Sequence, residues 1–191
     1  MRNSSVSRET KETSINIKLN LDGNGQNNIQ TPCKFFNHML QQISFHGNID
    51  LEVDAKSLDG NFHHMIEDTA IALGEGILKA LGDKSGINRY GQRFIPMDEA
   101  LSLCVVDISN RSFSRTDVIL EQELIEDFET VMLPHFFESL TQNMKANIQI
   151  KNIYGSDAHH IVESIFKAFA HSLKEAVSIT SDKLPSSKGV L

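Results

Sequence analysis

The chain has 191 residues, 40% of them hydrophobic, and a formal charge of -7. That is enough apolar material for a core, and too few clustered cations for a nucleic-acid or anionic-membrane partner. The first fourteen residues lack the apolar stretch of a secretory signal and no run approaches the roughly 18 apolar residues of a membrane span, so a cytoplasmic protein is expected.

In chain order, residues 15–21, INIKLNL, alternate apolar Ile15, Ile17, Leu19 and Leu21 with polar partners before the turn residues DGNG, and predict a half-buried strand. Helical spacing follows from Asn37 to Phe45, and NIDLEVD alternates again through Ile49, Leu51 and Val53. Ile66, Ala70, Leu73, Ile77 and Leu81 then recur at three and four residues, with Gly82 as C-cap. This places HHMIE on the first turn of a helix. The second half runs through a strand-like ALSLCVVDIS at 100–109, an extended RSFSR, a helix from Pro134, an alternating NIQIKNI and a helix marked by Ile161, Ile165, Phe169 and Leu173. Cys33 and Cys104, without a CxxC spacing, read as reduced thiols, which leaves nitrogen and oxygen as ligands for any metal.

The order of elements repeats, and so does a motif. HHMIE at 63–67 returns as HHIVE at 159–163; His38 precedes the first by 25 positions and His135 the second by 24. On a helix, residues four apart share a face, so His63 and Glu67 can hold one ligand together, and so can His159 and Glu163. The neighbouring His64 and His160 are turned about 100° away and are free for a second ion or a neighbouring subunit. Six histidines and two glutamates thus divide into two sites of three imidazoles and one carboxylate, a donor set suited to Mn, Fe, Zn or Co. His46 and His171 have no repeat partners, and a surface position is expected for His171.

FFNHMLQQISFHG, HHMIEDTAIALGEGILKALGDKSGINRYG, PMDEALSLCVVDISNR, HFFESL, AHHIVESIFKAFAHSLKEA and the terminal PSSKGVL together resemble imidazoleglycerol-phosphate dehydratase, a lyase of histidine biosynthesis, from Glu12 to Leu191. The resemblance implies an α+β fold of tandem duplicated β/α half-domains, ribosomal protein S5 domain 2-like, with helices sandwiched between two sheets. It implies one compact body over 1–191, with halves at about 10–95 and 96–180 and a substrate-binding tail at 181–191. It further implies two manganese ions per active site and a homo-oligomer of about 24 subunits with active sites where subunits meet. One manganese would take His38, His64, His159 and Glu163, and the other His63, Glu67, His135 and His160.

By the same resemblance Glu12 contacts the substrate and is the candidate for acid–base work, and His38, His64 and His160 count with it as catalytic through the metal ions they would hold. Arg89, Arg111, Ser186, Ser187 and Lys188 hold the phosphate end, with His46 also at the substrate. The reaction removes a hydroxyl beside an imidazole ring and a hydrogen from the next carbon, although no carbonyl acidifies that C–H. Lewis acids on both ring nitrogens favour the imidazolate, which expels the hydroxyl through a diazafulvene-like intermediate. Asp98 and Glu99 either support the site or cap a turn. Asn37, Phe62 and Gln149 depart from the family pattern, the first two at places where a carboxylate is usual. A dinuclear metal hydrolase and a non-enzymatic, metal-organised shell protein are the rival readings; a di-iron bundle is disfavoured by its reversed Glu-x-x-His order.

Overall fold

The computed structural model describes residues 1–189 and 191. Strands β1 (Asn3–Glu9), β2 (Thr13–Asn20) and β3 (Asn27–Gln30) are followed by helix α1 (Lys34–Gly47), strand β4 (Asp50–Ser57) and helix α2 (Phe62–Leu81). The plan then repeats: β5 (Tyr90–Met97), β6 (Ala100–Asp107), β7 (Phe113–Asp117), a small hairpin of β8 (Leu124–Ile125) and β9 (Phe128–Glu129), α3 (Met132–Met144), β10 (Asn147–Tyr154) and α4 (Ala158–Val177). The two large sheets have matching orders, β1-β2-β4-β3 and β5-β6-β10-β7. In each, the pair contributed by the third and last strands is parallel and the others are antiparallel. The expected α+β duplication is therefore present.

Alternation makes each sheet one-sided. Ile15, Ile17 and Leu19 of β2 and Leu51, Val53 and Ala55 of β4 point inward, as do Cys104 and Val106 of β6 and Ile148 and Ile150 of β10. Helices cover these faces and then pack on the helices of the other half, α1 against α4 and α2 against α3. One continuous core results, with helices between two sheets. The halves approach closely: a Cβ on Gly74 of α2 would lie 2.6 Å from the Leu140 carbonyl of α3.

The predicted strands and helices all appear. β1, β3 and β5 were not expected, because each carries at most one fully buried apolar side chain and so lacks an alternating signal. The sheets divide between α2 and Tyr90, so β5 pairs in the second sheet and the first repeat starts at Asn3. Of the tail at 181–191, position 190 lies outside the described residues. Among the described residues no helix is long and apolar enough to cross a membrane.

A second tie joins the halves at the start of α1. Cys33 supplies no side-chain cap; instead the Asp127 carboxylate, from the β8–β9 turn, accepts from the amides of Lys34 (2.7 Å) and Phe35 (3.0 Å). Burial raises the Asp127 pKa, but the Phe35 and Lys34 amides and the Cys33 thiol outweigh it and hold the group below its ordinary value. Because the folded pKa is depressed, this stabilisation is present above the unfolded carboxylate value of about 3.9 and is lost as the pH falls through the folded value. Asp127→Ala is expected to cost about 1–2 kcal/mol at pH 7 in urea unfolding of metal-free protein. The difference from wild type should shrink below about pH 4.

Candidate metal centre

The repeated motifs begin helices α2 and α4, and both starts are capped alike. The Asn61 side chain accepts from the His63 amide (2.9 Å), and the Asp157 carboxylate accepts from the amides of His159 (2.8 Å) and His160 (3.3 Å). Each cap fixes the first turn two residues before its histidine pair, which sets the directions of the imidazoles.

His159 and Glu163, one turn apart, converge as the spacing predicts, with Nε2 to Oε2 at 3.1 Å. His38, from α1 of the other half, brings its Nε2 to 3.3 Å from the same oxygen. The opposite arrangement holds on the far side: His63 and Glu67 of α2 meet His135 of α3, whose Nε2 lies 3.4 Å from Glu67 Oε2. In each cluster the three donor atoms lie within 4.8 Å of one another. Helix packing across the halves thus assembles two equivalent N,N,O sets. Glu163 is almost fully buried; burial raises its pKa, but Lys167, at 2.8 Å from Oε1, and His38 outweigh it and keep the carboxylate ionised.

The donor set fits a transition-metal cation. His135 Nε2 is buried without a hydrogen-bond partner, a cost that coordination would remove. The thiols are no rivals for it: Cys33 and Cys104 are buried, and desolvation pushes the Cys33 pKa up to about 12 and that of Cys104 higher still.

His64 and His160 join neither cluster. His64 Nδ1 lies 2.7 Å from Asp59 and 3.7 Å from Glu12; His160 Nδ1 lies 2.7 Å from Glu99, and its Nε2 is 3.5 Å from Asp98. An ionised carboxylate only accepts, so Nδ1 carries the proton of the neutral ring and Nε2 is left with its lone pair. Donating to Asp59 raises the His64 pKa, and donating to Glu99 raises the His160 pKa. Backbone amides, of Asn61 for Asp59 and of Asp157 for Glu99, act with these histidines to hold both carboxyls at about 2. Glu99 both caps the turn before α4, through the Ser156 and Asp157 amides, and orients His160. Asp59 has no motif of its own and was not anticipated; its position four residues before the first HHMIE is the available signal.

The remaining predicted residues are scattered. Glu12 sits beside His64, at the β1–β2 turn equivalent to the β5–β6 turn that holds Glu99. His46 packs against His171 with ring centroids 5.3 Å apart, so His171 is half-buried between helices rather than on the surface. Burial first, then the neighbouring His171, lowers the His46 pKa. Arg89 is held by Asp107 (2.7 Å) and donates to the Pro185 carbonyl (2.9 Å), tying the tail that carries Ser186, Ser187 and Lys188 to the start of β5. Arg111, Ser187 and Lys188 are exposed, and Ser186 is half-buried.

This cationic end is remote from the imidazoles. The Arg89 amide donates to the Ala176 carbonyl near the C-terminus of α4, while His159 starts the same helix, about 25 Å away along its axis. The departures from the family pattern have local explanations in two cases. The Asn37 amide both accepts from and donates to the Thr31 backbone, which a carboxylate could not do, and Phe62 packs against the core. Gln149 stands exposed on β10, bonded to Asn147.

Comparison with known proteins follows the same pattern. The imidazoleglycerol-phosphate dehydratase family model matches residues 31–173. The chain is 49% identical over 180 residues to the imidazoleglycerol-phosphate dehydratase of Clostridium kluyveri, covering 94% of this chain and 93% of that protein. It is 46% identical over 191 residues to that of Prosthecochloris aestuarii, covering 100% and 96%. The crystal structure of the Staphylococcus aureus enzyme superposes with a TM-score of 0.85 at 34% identity, over 93% of this chain and 99% of that one. The Pyrococcus furiosus structure gives 0.86 at 34%, over 97% and 100%. Duplicated sheets, paired His/Glu clusters and near full-length similarity agree, and the chain belongs to the imidazoleglycerol-phosphate dehydratase family.

Proposed function

We propose that this chain catalyses the manganese-dependent elimination of water from imidazoleglycerol phosphate, giving imidazole-acetol phosphate in L-histidine biosynthesis. The observation that carries the reading is a mismatch within one chain: two clusters each offer three of four expected donors, while two oriented histidines, His64 and His160, stand outside both. Two chains resolve it. His38, His159 and Glu163 of one would hold an ion with His64 of another, and His63, Glu67 and His135 would do so with His160. Manganese ions held there would supply Lewis acidity to both nitrogens of the substrate ring, which is what lets a C–H without an adjacent carbonyl be deprotonated.

The protein's own groups do the rest. Glu12, beside His64, is placed to move a proton at the carbon next to the ring or at the departing hydroxyl. His46, its pKa lowered, is neutral at pH 7 and able both to donate and to accept at the substrate. Arg89, Arg111, Ser186, Ser187 and Lys188 offer the fork and hydroxyl donors that a phosphate needs. A glycerol phosphate carrying an imidazole cannot bridge the roughly 25 Å between Arg89 and the His159 cluster of its own chain, so ring and phosphate ends would be held by different subunits. A closed homo-oligomer, of about 24 copies in the family pattern, with active sites at its subunit boundaries, meets both needs.

The deciding experiment adds imidazoleglycerol phosphate to metal-stripped protein, with and without manganese, and follows the ketone. Manganese-dependent product supports the reading; phosphoester cleavage without dehydration, or manganese-dependent assembly without turnover, contradicts it. His64→Ala and His160→Ala should each abolish turnover and impair high-order assembly by light scattering. Glu12→Gln should lower kcat by about 100-fold or more with assembly intact. Asp59→Asn and Glu99→Gln should each weaken manganese binding about 10- to 100-fold in calorimetric titration, because they disorder an imidazole without removing it.

A further inference from the structure

The two halves place a glutamate at the same point of the same turn. In the first, β1 and β2 pair Glu9 with Ser14 and close through Lys11 and Glu12; in the second, β5 and β6 pair Pro96 with Leu101 and close through Asp98 and Glu99. The register is identical, so residues match one by one: Arg8 with Ile95, Thr10 with Met97, Thr13 with Ala100. Along the helices Glu67 matches Glu163, and Asp68 matches Ser164.

The matched glutamates are held differently. Glu99 is fixed by its own carboxylate, which accepts from the amides of Ser156 (3.1 Å) and Asp157 (2.8 Å) and from His160 Nδ1 (2.7 Å). For Glu12 that place is taken: Asp59 accepts from Nδ1 of the equivalent His64, and the Glu12 carboxylate stands 3.7 Å off and 55% exposed. Its position is set through the backbone instead. The Leu58 amide donates to the Glu12 carbonyl (2.7 Å), and the Glu12 amide is reached by a line of side chains. Asp68, 8% exposed, accepts from Arg8 Nε (2.7 Å) and from the Thr13 hydroxyl (2.5 Å). Thr13 has one proton and gives it to Asp68, so the Thr10 hydroxyl, 3.1 Å away, donates to Thr13 Oγ1. The Thr10 lone pairs then accept from the amides of Glu12 (3.1 Å) and Thr13 (3.0 Å).

This line starts on the histidine helix. Asp68 lies four residues beyond His64, on the same face of α2 and one turn along. In the second half the matched positions carry no such line: Ile95, Met97 and Ala100 are apolar, and Ser164 donates to Ser102 or to the Ile161 carbonyl. Burying a polar network is costly unless every member is satisfied, and the other half builds the same turn without one. The network is present where the turn's glutamate is left free.

We infer that Arg8, Asp68, Thr13 and Thr10 are positioning residues that hold Glu12 over His64 for proton transfer, an inference that rests on the acid–base role proposed for Glu12. None of the four is among the proposed metal donors or at the phosphate end, so their loss shows in turnover rather than in binding.

The test removes one hydroxyl. Thr13→Val keeps the shape of the side chain and breaks the link between Asp68 and Thr10. Its kcat on imidazoleglycerol phosphate should fall about 10- to 100-fold, with KM and manganese affinity within about twofold of wild type. Thr13→Ser restores the link and should restore kcat. In a Glu12→Gln background Thr13→Val should cost nothing further, because the group it positions is already gone. Ser164→Ala, at the matched position of the second half, should leave kcat as it is. Amide hydrogen exchange on metal-free protein without substrate separates this inference from the function beneath it: the Glu12 and Thr13 amides should exchange about tenfold faster in Thr13→Val than in Thr13→Ser. Wild type that makes no ketone counts against the function, and that exchange difference would still support the network. A Thr13→Val enzyme with wild-type kcat, an equal loss in the Glu12→Gln background, or unchanged exchange would overturn it. Should Thr13→Val not fold, Thr10→Val, at an exposed position, replaces it in each measurement, with Thr10→Ser as the restoring variant.

Discussion

Everything in this molecule depends on the packing of α1 on α4 and of α2 on α3. Neither half can build a His/Glu donor cluster alone: the HHMIE helix of the first half needs His135 from the second, and the HHIVE helix of the second needs His38 from the first. The same contacts that hide the helices' apolar faces thus fix the donor geometry. Close approach at Gly74 and the Asp127 cap on α1 hold the two halves in one register. A chain that packed its halves differently would lose core and site together.

The duplication also explains the division of labour among the histidines. A helix turns about 100° per residue, so an adjacent pair cannot serve one ion. His63 and His159 turn inward to the clusters, while His64 and His160 turn to Asp59 and Glu99 and are held with Nε2 available. On the proposed function, each chain would be both a cup and a plug. In the proposed assembly the plug enters another chain's cup, and metal loading and association become one event.

Much of this could be read from the residues. The recurrence of His-His-x-x-Glu, with an upstream histidine at matched spacing, carries its geometry in the helical repeat, and His159 and Glu163 meet as that repeat dictates. The long strands and helices were legible for the same reason, since a buried face imposes a period. The edge strands β1, β3 and β5 were not, because they bury little of either face, and β5 adds Gly91 and Pro96, which an edge tolerates. Asp59 and Asp127 act through tertiary contacts from a loop and a turn and carry no motif, while Glu99, marked in the sequence for one role or the other, fills both. His171 looked like a surface residue because its partner, His46, lies on a helix far away in the chain.

The central claim is that each ion is gripped by three side chains of one chain and one histidine of another. Anomalous scattering from crystals grown with manganese tests it most directly. Two peaks per chain are predicted, one among His38, His159 and Glu163 and one among His63, Glu67 and His135, each with a fourth nitrogen contributed by another chain's His64 or His160. Ions found elsewhere, or those two histidines turned to solvent beside occupied clusters, would contradict the account.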